Sequence, residues 1–221
     1  MNEKKIKEYA DLRLSNLKKV KLNGTNLKIA HLNKAKLTLA DLTGADLTGA
    51  DLTETTLIEA DLRDANLNKS KLRRVNLKEA DLTAANLTQA NLNKANLKGT
   101  NLREADLDGA YLKDAHLREA HLTRANLRGS DLQYADLRDA YLMNANLEDA
   151  NLKEANLQYT QLNKADLRDT NLTGANLTGI DLRGANLTSV DLRGADLTGT
   201  IIDKTTKLPT NLKRTGNIRR K

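Results

Sequence analysis

The sequence predicts an all-β fold, a solenoid whose coils are short extended pieces joined by a turn every five residues. Leu occurs at 12, 17, 22 and every fifth position to 197, which makes 38 consecutive leucines without an insertion. The residue two places before each Leu is Ala in 26 of these units, and the residue directly before it is Asp or Asn in 28. Eleven of the twelve glycines fall two places after a Leu.

A period of five fits neither a continuous helix nor a continuous strand. Five helical residues advance about 500°, so the leucines would drift around the helix instead of forming a stripe. In a strand, an odd period would send successive leucines to opposite faces. A short extended piece followed by a turn does fit, because Asn, Asp and Gly are turn formers. The glycine placement indicates one corner position that needs a permissive backbone.

If each pentapeptide is one side of a coil, stacked coils place Leu above Leu inside the solenoid. The small residue two places earlier also points inward and leaves room for the Leu. The chain has no Phe, Trp or Cys, so Leu and Ala must supply the core, and disulfide and thiol chemistry are excluded. No apolar run approaches the roughly 18 residues of a membrane span. The first residues, MNEKKIKEYADLR, lack the apolar segment of a secretory signal, and we expect a cytoplasmic protein.

The net charge of +7 suggests a nucleic-acid ligand until the charges are located along the chain. Residues 198–221 carry seven Lys or Arg and one Asp, whereas the charges of 10–197 cancel. Within that neutral body, 10–99 is net +5 and 100–197 is net −5. The basicity therefore belongs to the C-terminal tail.

The tandem motif A-(D/N)-L-x-x, as in Ala45-Asp46-Leu47-Thr48-Gly49, resembles the pentapeptide-repeat family over residues 10–197. The resemblance implies a right-handed quadrilateral parallel β-helix with four pentapeptides per coil, and 38 units make about nine to ten coils. A leucine-rich repeat has a longer unit and an uneven leucine spacing. We expect short capping segments at both ends, because open coils expose unpaired backbone edges.

Three segments follow from this pattern. Residues 1–9 are predicted to form an N-terminal cap, as a short helix or irregular structure, and 10–202 form the solenoid. Residues 203–221 are predicted to form a C-terminal cap and a basic tail. Ile201 and Ile202 replace the repeating Leu, and Pro209 is expected to end regular structure. We expect Leu208, Leu212 and Ile218 to fold back over the last coil.

The Asp and Asn before each Leu form an array that we interpret as structural, because short polar side chains bond the local backbone at turns. All three histidines, at 31, 116 and 121, occupy this same slot. On four-sided coils His116 and His121 lie on adjacent sides and should not share a metal. His116 would lie between Asn96 and Asp136, and His121 between Asn101 and Tyr141. We predict no catalytic residue, no metal site and no cofactor.

Four of the five tyrosines lie in 111–159. His121, Tyr141 and Tyr159 are the candidate interaction patch, since exposed Tyr is typical of protein interfaces. The alternative is that Tyr only fills variable surface positions. A candidate basic tail comprises Lys213, Arg214, Arg219, Arg220 and Lys221, which is also interpretable as a solvated terminus.

These features predict a non-enzymatic scaffold that binds another protein, as a monomer or an end-to-end homodimer. The family resemblance raises an alternative, a DNA mimic that modulates a type II topoisomerase. Family members of that kind have a strongly acidic face, often Phe in the central slot, and in the resistance-conferring members projecting loops, and this chain has none of these. A further alternative is nucleic-acid contact through the basic tail, where no aromatic accompanies the charges.

Overall fold

A computed structural model, which describes residues 8–210 and 219–220, shows a solenoid of four-sided coils. Parallel bridges join residues that are twenty apart, from Asp11 with His31 to Asp181 with Ile201. Each coil therefore contains four pentapeptides, as the resemblance implied. Two strands have defined bounds, β1 at Ile201–Ile202 and β2 at Arg219–Arg220. No described segment forms a helix long and apolar enough to cross a bilayer.

Backbone hydrogen bonds connect each side of a coil to the sides above and below it. The amide of Leu62 donates to the carbonyl of Asp81 in the next coil at 2.7 Å. The amide of Asp61 donates to the carbonyl of Ala40 in the previous coil at 2.9 Å. From Leu14 to Gly179, the amide two places after each Leu also donates to a carbonyl of the next coil. This pattern repeats along the rod and pairs the backbone as in a parallel sheet.

A turn at each corner closes one side and starts the next. The amide of Ala65 donates to the carbonyl of Leu62 at 3.1 Å, and Asp64 between them has a φ of 58°. The same corner position has a positive φ in eleven glycines and in 28 other residues, which include the β-branched Ile29. The predicted permissive position is confirmed, but residues with side chains occupy most of the corners.

The Asp or Asn slot satisfies the one amide of the repeat that the backbone does not use. The amide of Thr53 donates to Oδ1 of Asp51 at 3.0 Å, and the amide of Arg63 donates to Oδ1 of Asp61 at 3.2 Å. An unpaired amide this close to the core would cost stability. The structural interpretation of the Asp and Asn array is thereby confirmed.

The core is a column of stacked leucines with small residues beside them. Every Leu of the repeat from Leu12 to Leu187 is at most 4% exposed. From Ala30 to Val190 the small residue two places earlier is buried as well. Where this buried residue is Thr, from Thr55 onward, its hydroxyl donates to a Leu carbonyl one coil earlier, as Thr55 does to Leu32 at 2.7 Å. Buried polar atoms of the core are therefore paired.

The repeat changes at its C-terminal end. Ile202 is buried in the Leu slot, as predicted, but Asn186 pairs with Lys207, which is twenty-one residues later. One extra residue therefore lies in the turn at 203–206, and Leu208 packs, partly buried, against the core. A described strand also lies beyond Pro209 in the chain: β2 pairs in parallel with β1, and Arg219 lies opposite Ile201.

The predicted caps are only partly within the described residues. Glu8 and Tyr9 form a turn, and the Tyr9 amide donates to the carbonyl of Lys28 at 2.9 Å, as at the other corners. Residues 1–7, with most of the predicted N-terminal cap, lie outside the described residues, as do Leu212 and Ile218.

Candidate functional site

Outward-facing positions where the residue departs from the repeat are the candidates for a function beyond folding. In the Asp or Asn slot, ten of the 38 units carry another residue. The amides of Thr123 and Met143 lie two places after His121 and Tyr141. Among the described hydrogen bonds, neither amide donates to a side chain. A net hydrogen bond contributes about 0.5–1.5 kcal/mol, so these departures give up a local stabilising contact.

His121 and Tyr141 form one stacked aromatic pair on a side of the rod. They face each other in adjacent coils, with ring centroids 4.7 Å apart and ring planes 8° from parallel. Below them, His121 bridges Asn101, so the predicted order of this column is confirmed. The stack presents a flat, half-buried aromatic surface, of the kind that partner side chains pack against.

The guanidinium of Arg103 lies beside the stacked rings of His121 and Tyr141 and adds a polar group to their surface. Its Nη2 lies 3.1 Å from Nδ1 of His121, and its Nη1 lies 3.3 Å from Oδ1 of Asn101. Burial, and then the positive charge of Arg103, lower the pKa of His121. A guanidinium can only donate, so Nδ1 of His121 accepts this hydrogen bond, which the neutral imidazole allows.

Tyr159, the third residue of the predicted patch, lies at a corner and packs along a different column. Its ring covers the backbone of Gly179 in the next coil, where an added Cβ would lie 2.7 Å from the ring. Its side chain is 58% exposed. Among the described residues the aromatic contact joins His121 and Tyr141 only, so the structure brings together two of the three predicted residues.

A second aromatic position, at the corner that carries Tyr134, was missed from the sequence. Nζ of Lys113 lies 5.3 Å from the centroid of the Tyr134 ring, which is a cation–π geometry. Tyr134 is 42% exposed, and Tyr111 on the same side of the rod is 51% exposed. A shallow groove beside this corner is lined by Lys94, Asp114, Ala115, His116, Tyr134 and Asp136. Lys113 and Tyr134 are twenty-one residues apart, and this spacing could have indicated the contact. It places a residue on one side of a coil next to the corner that ends the same side of the next coil.

Ion pairs within single units were also missed. In Asp-Leu-Arg units the two charged side chains meet across the leucine, as with Arg193 Nη2 and Asp191 Oδ2 at 2.6 Å. Hydrogen bonds from the side chain and backbone of Arg193 lower the pKa of Asp191 to about 2. Six units share this pairing, at Asp11, Asp61, Asp136, Asp166, Asp181 and Asp191. Each pair cancels its own charge on the surface.

The histidines do not assemble a metal site. His116 bridges Asn96 and Asp136 as predicted, on a different side of the rod from His121. Within residues 8–210 and 219–220, no cluster of three His, Cys, Asp or Glu side chains has the geometry to hold a metal ion.

The predicted basic tail is described only at Arg219 and Arg220. Their backbone pairs with β1, and the Arg219 amide donates to the carbonyl of Thr200 at 2.8 Å, so these two residues are attached to the rod. Arg219 is exposed. Lys213, Arg214 and Lys221 lie outside the described residues.

Comparison with known proteins agrees with the fold. The family of pentapeptide repeats matches in eight copies, over residues 10–49, 40–78, 80–118, 105–142, 130–169 and 165–202. None of the curated proteins matches the chain. The crystal structure of HetL, a pentapeptide-repeat protein involved in heterocyst differentiation regulation in the cyanobacterium Nostoc sp. strain PCC 7120, is 35% identical. It superposes with a TM-score of 0.91, over 94% of this chain and 92% of HetL.

A second similar structure is QnrB1, a plasmid-mediated fluoroquinolone resistance protein, in a trypsin-treated form. It is 18% identical, with a TM-score of 0.52, over 90% of this chain and 92% of QnrB1, which is a likeness of fold alone. No catalytic family is indicated by these matches. With the family matched across the described solenoid and a relative similar over nearly its whole length, this chain belongs to the pentapeptide-repeat family.

Proposed function

We infer that this chain is a non-enzymatic scaffold that binds another protein through the sides of its rod. The observation that carries this inference is the belt of outward aromatic side chains in the middle coils. Tyr111, Tyr134 and Tyr159 are each more than 40% exposed, and His121 and Tyr141 stack between them in sequence. Aromatic side chains that project from a rigid frame supply contact area at low entropic cost, which favours a binding role.

The likeness to HetL supports a regulatory role for this scaffold. HetL is involved in the regulation of heterocyst differentiation, and it resembles this chain over nearly its whole length. A rod without projecting loops offers binding surfaces more readily than a reaction site. We place this scaffold in the cytoplasm, as a monomer or an end-to-end homodimer, which light scattering of the purified protein would distinguish.

The DNA-mimic alternative is the second candidate, favoured by the net charge of −5 over residues 100–197. The distribution of the charge weakens that support, because Arg138, Arg168 and Arg183 lie among the carboxylates and pair with those of their own units, whereas the DNA mimics have a strongly acidic face. A supercoiling assay with gyrase, with and without a fluoroquinolone, tests this candidate. An unchanged supercoiling rate at micromolar protein would remove it.

Two steps test whether the rod binds another protein. The partner is captured from the native host, and the complex is then reconstituted with that purified partner. The variant Tyr134→Gly removes an exposed ring at a corner with a φ of 59°, where Gly is readily accommodated. Leu39→Gly is the matched control, since Leu39 is also exposed, has a φ of 58° and lies outside the aromatic belt. We expect binding to weaken in Tyr134→Gly only. Equal binding by both variants and the wild type would exclude the aromatic belt.

A further inference from the structure

One side of the rod carries a concentration of positive charge over three successive coils. The basic patch consists of six exposed residues, Lys69, Lys71, Arg73, Arg74, Lys94 and Lys113. Lys71 bridges Asn91, and Asn91 bridges Tyr111, so these coils are direct neighbours. The patch therefore spans about 10 Å along the rod, at the spacing of paired strands.

Few charges of the basic patch form close ion pairs within the rod, although Asp51 lies next to Lys71 and Asp114 lines the same groove as Lys94. Among the described ion pairs, Arg74 alone of the six takes part, with Nη1 lying 3.7 Å from Oε1 of Glu54. On the next side of the rod, Lys78 and Lys98 pair with the carboxylates of Glu79 and Glu119. Lys113 has the ring of Tyr134 as a partner, but most positive side chains of the patch lie closer to one another than a stable fold requires, and like charges repel.

Lys71 reverses the charge of the position that elsewhere stabilises the repeat. In the unit of Asp61 and Arg63, the carboxylate accepts the Arg63 amide at 3.2 Å and pairs with its guanidinium. Lys71 and Arg73 occupy the same two slots, with two positive charges in place of an ion pair. Among the described hydrogen bonds, the Arg73 amide has no acceptor. The local structure therefore gives up this contact at the centre of the patch, as it does after His121 and Tyr141, and here two positive charges replace it.

The patch is also bounded. Asp51 lies in the coil below Lys71, and Asp131 lies in the coil above Tyr111. A nucleic acid that follows the rod would meet these carboxylates after about 10 Å of positive surface. Tyr111 and Tyr134 border the patch with half-exposed rings, and Nζ of Lys113 lies over the ring of Tyr134. A short acidic segment with an apolar or aromatic side chain would complement both features.

We propose that this basic patch, with Tyr111 and Tyr134 at its border, binds a short acidic segment of a partner protein. The inference rests on the proposed scaffold function and gives the chemistry of the partner. The acidic side chains would pair with Lys71, Arg73 and Lys94, and an apolar side chain would pack on the Tyr rings.

Fluorescence anisotropy of the full chain with a labelled peptide of Asp, Glu, Leu and Trp tests this proposal. Lys71→Asp changes the patch by two charges and recreates the Asp-Leu-Arg unit seen at Asp61 and Arg63, so it should fold at least as well as the wild type. We expect it to bind the peptide about tenfold more weakly. Lys21→Asp is the matched control, because Lys21 is exposed in the same slot of another side. It should bind within about twofold of the wild type.

Lys94→Gly is a second variant, at a corner with a φ of 61° where Gly fits, and it should also weaken the peptide complex. No binding of the peptide by the wild type, or equal weakening by Lys21→Asp, would overturn the proposal. Single-stranded or duplex DNA that binds more tightly than the peptide and is released by Lys71→Asp would make the patch a nucleic-acid site instead.

A reconstituted partner separates this inference from the scaffold function. If wild type and Lys71→Asp bind that partner equally, the scaffold stands and the patch inference fails. If the peptide binds at the patch while no partner binds any variant, the scaffold function fails alone.

Discussion

The ring of Tyr159 lies against the backbone of Gly179, one coil further along the same corner column. A Cβ built at Gly179 would lie 2.7 Å from both Cδ1 and Cε1 of Tyr159. Gly179 also has a φ of +68°, which side chains rarely adopt. This contact connects an exposed residue of the aromatic belt to the backbone of the glycine-rich C-terminal coils.

Gly179→Ala should therefore destabilise the protein by about 1–2 kcal/mol, from the left-handed backbone and the displaced ring together. Denaturant unfolding followed by circular dichroism measures this loss. Gly24→Ala is the matched control, because Gly24 has a φ of +63° and no neighbour within 4 Å of its added Cβ. The excess loss at Gly179 should disappear in a Tyr159→Gly background. Equal losses at both glycines would show that the ring gives way freely.

Ile29→Gly should stabilise the protein by about 1 kcal/mol, because a β-branched residue at a φ of 55° is strained. Ile29 is 46% exposed, so the apolar contact that the variant loses offsets only part of this gain. Thermal unfolding measures the change. Ile58→Gly provides the comparison, since Ile58 lies one place before a corner and its φ is not positive. It should destabilise, and stabilisation by both variants would contradict the argument from backbone strain.

Acid should weaken the ends of the rod through Asp11, Asp191 and Asp203, whose pKa values are about 2 against an ordinary 3.8. For Asp203 the largest cause is the hydrogen bond from the hydroxyl of Thr205 to Oδ1, at 2.7 Å. A carboxyl whose pKa is lowered by folding stabilises the folded state at pH values above the pKa that it has in the unfolded chain. That contribution is lost as the pH falls from about 4 to about 2.

The measurement is the midpoint of thermal unfolding between about pH 5 and pH 2. The triple variant Asp11→Asn, Asp191→Asn, Asp203→Asn should lose less stability over this interval than the wild type. Asn retains an oxygen that can accept the local amide. A variant with the same acid dependence as the wild type would assign the effect to other carboxyls.

Leu107→Ala should cost about 2–5 kcal/mol, because its side chain is fully buried between stacked leucines and leaves a cavity. Leu192→Ala should cost clearly less, since Leu192 is only partly buried near the end of the stack. Urea unfolding of both variants tests the difference. Similar midpoints would mean that neighbouring coils collapse around the missing side chain.

Much of the fold could be predicted because each slot of the repeat has one physical task. Leu fills the core, the small residue makes room for it, and the Asp or Asn accepts the amide that the backbone does not use, as Asp51 does for Thr53. The extra residue in the turn at 203–206 was not predicted, because 198–210 departs from the repeat in several slots at once.

The candidate site was less predictable than the fold. The stacking of His121 on Tyr141 followed from a spacing of twenty, because the side chains of this slot point straight outward from a side. The orientation of Tyr159 could not be predicted from the spacing. Tyr159 is a corner residue with a positive φ, and its side chain lies along the corner column, against Gly179 of the next coil. The contact between Lys113 and Tyr134 required the geometry of the corner as well.

The coil length of twenty residues has a consequence for how such rods diverge. Deleting one pentapeptide would leave every Leu in the core but rotate all later surface positions by a quarter turn, so His121 and Tyr141 would no longer share a side if the deletion fell between them. Deleting four pentapeptides would shorten the rod by one coil and keep its sides aligned. Only insertions or deletions of whole coils therefore preserve the alignment of surface residues in this chain, whereas the core tolerates the gain or loss of any number of pentapeptides.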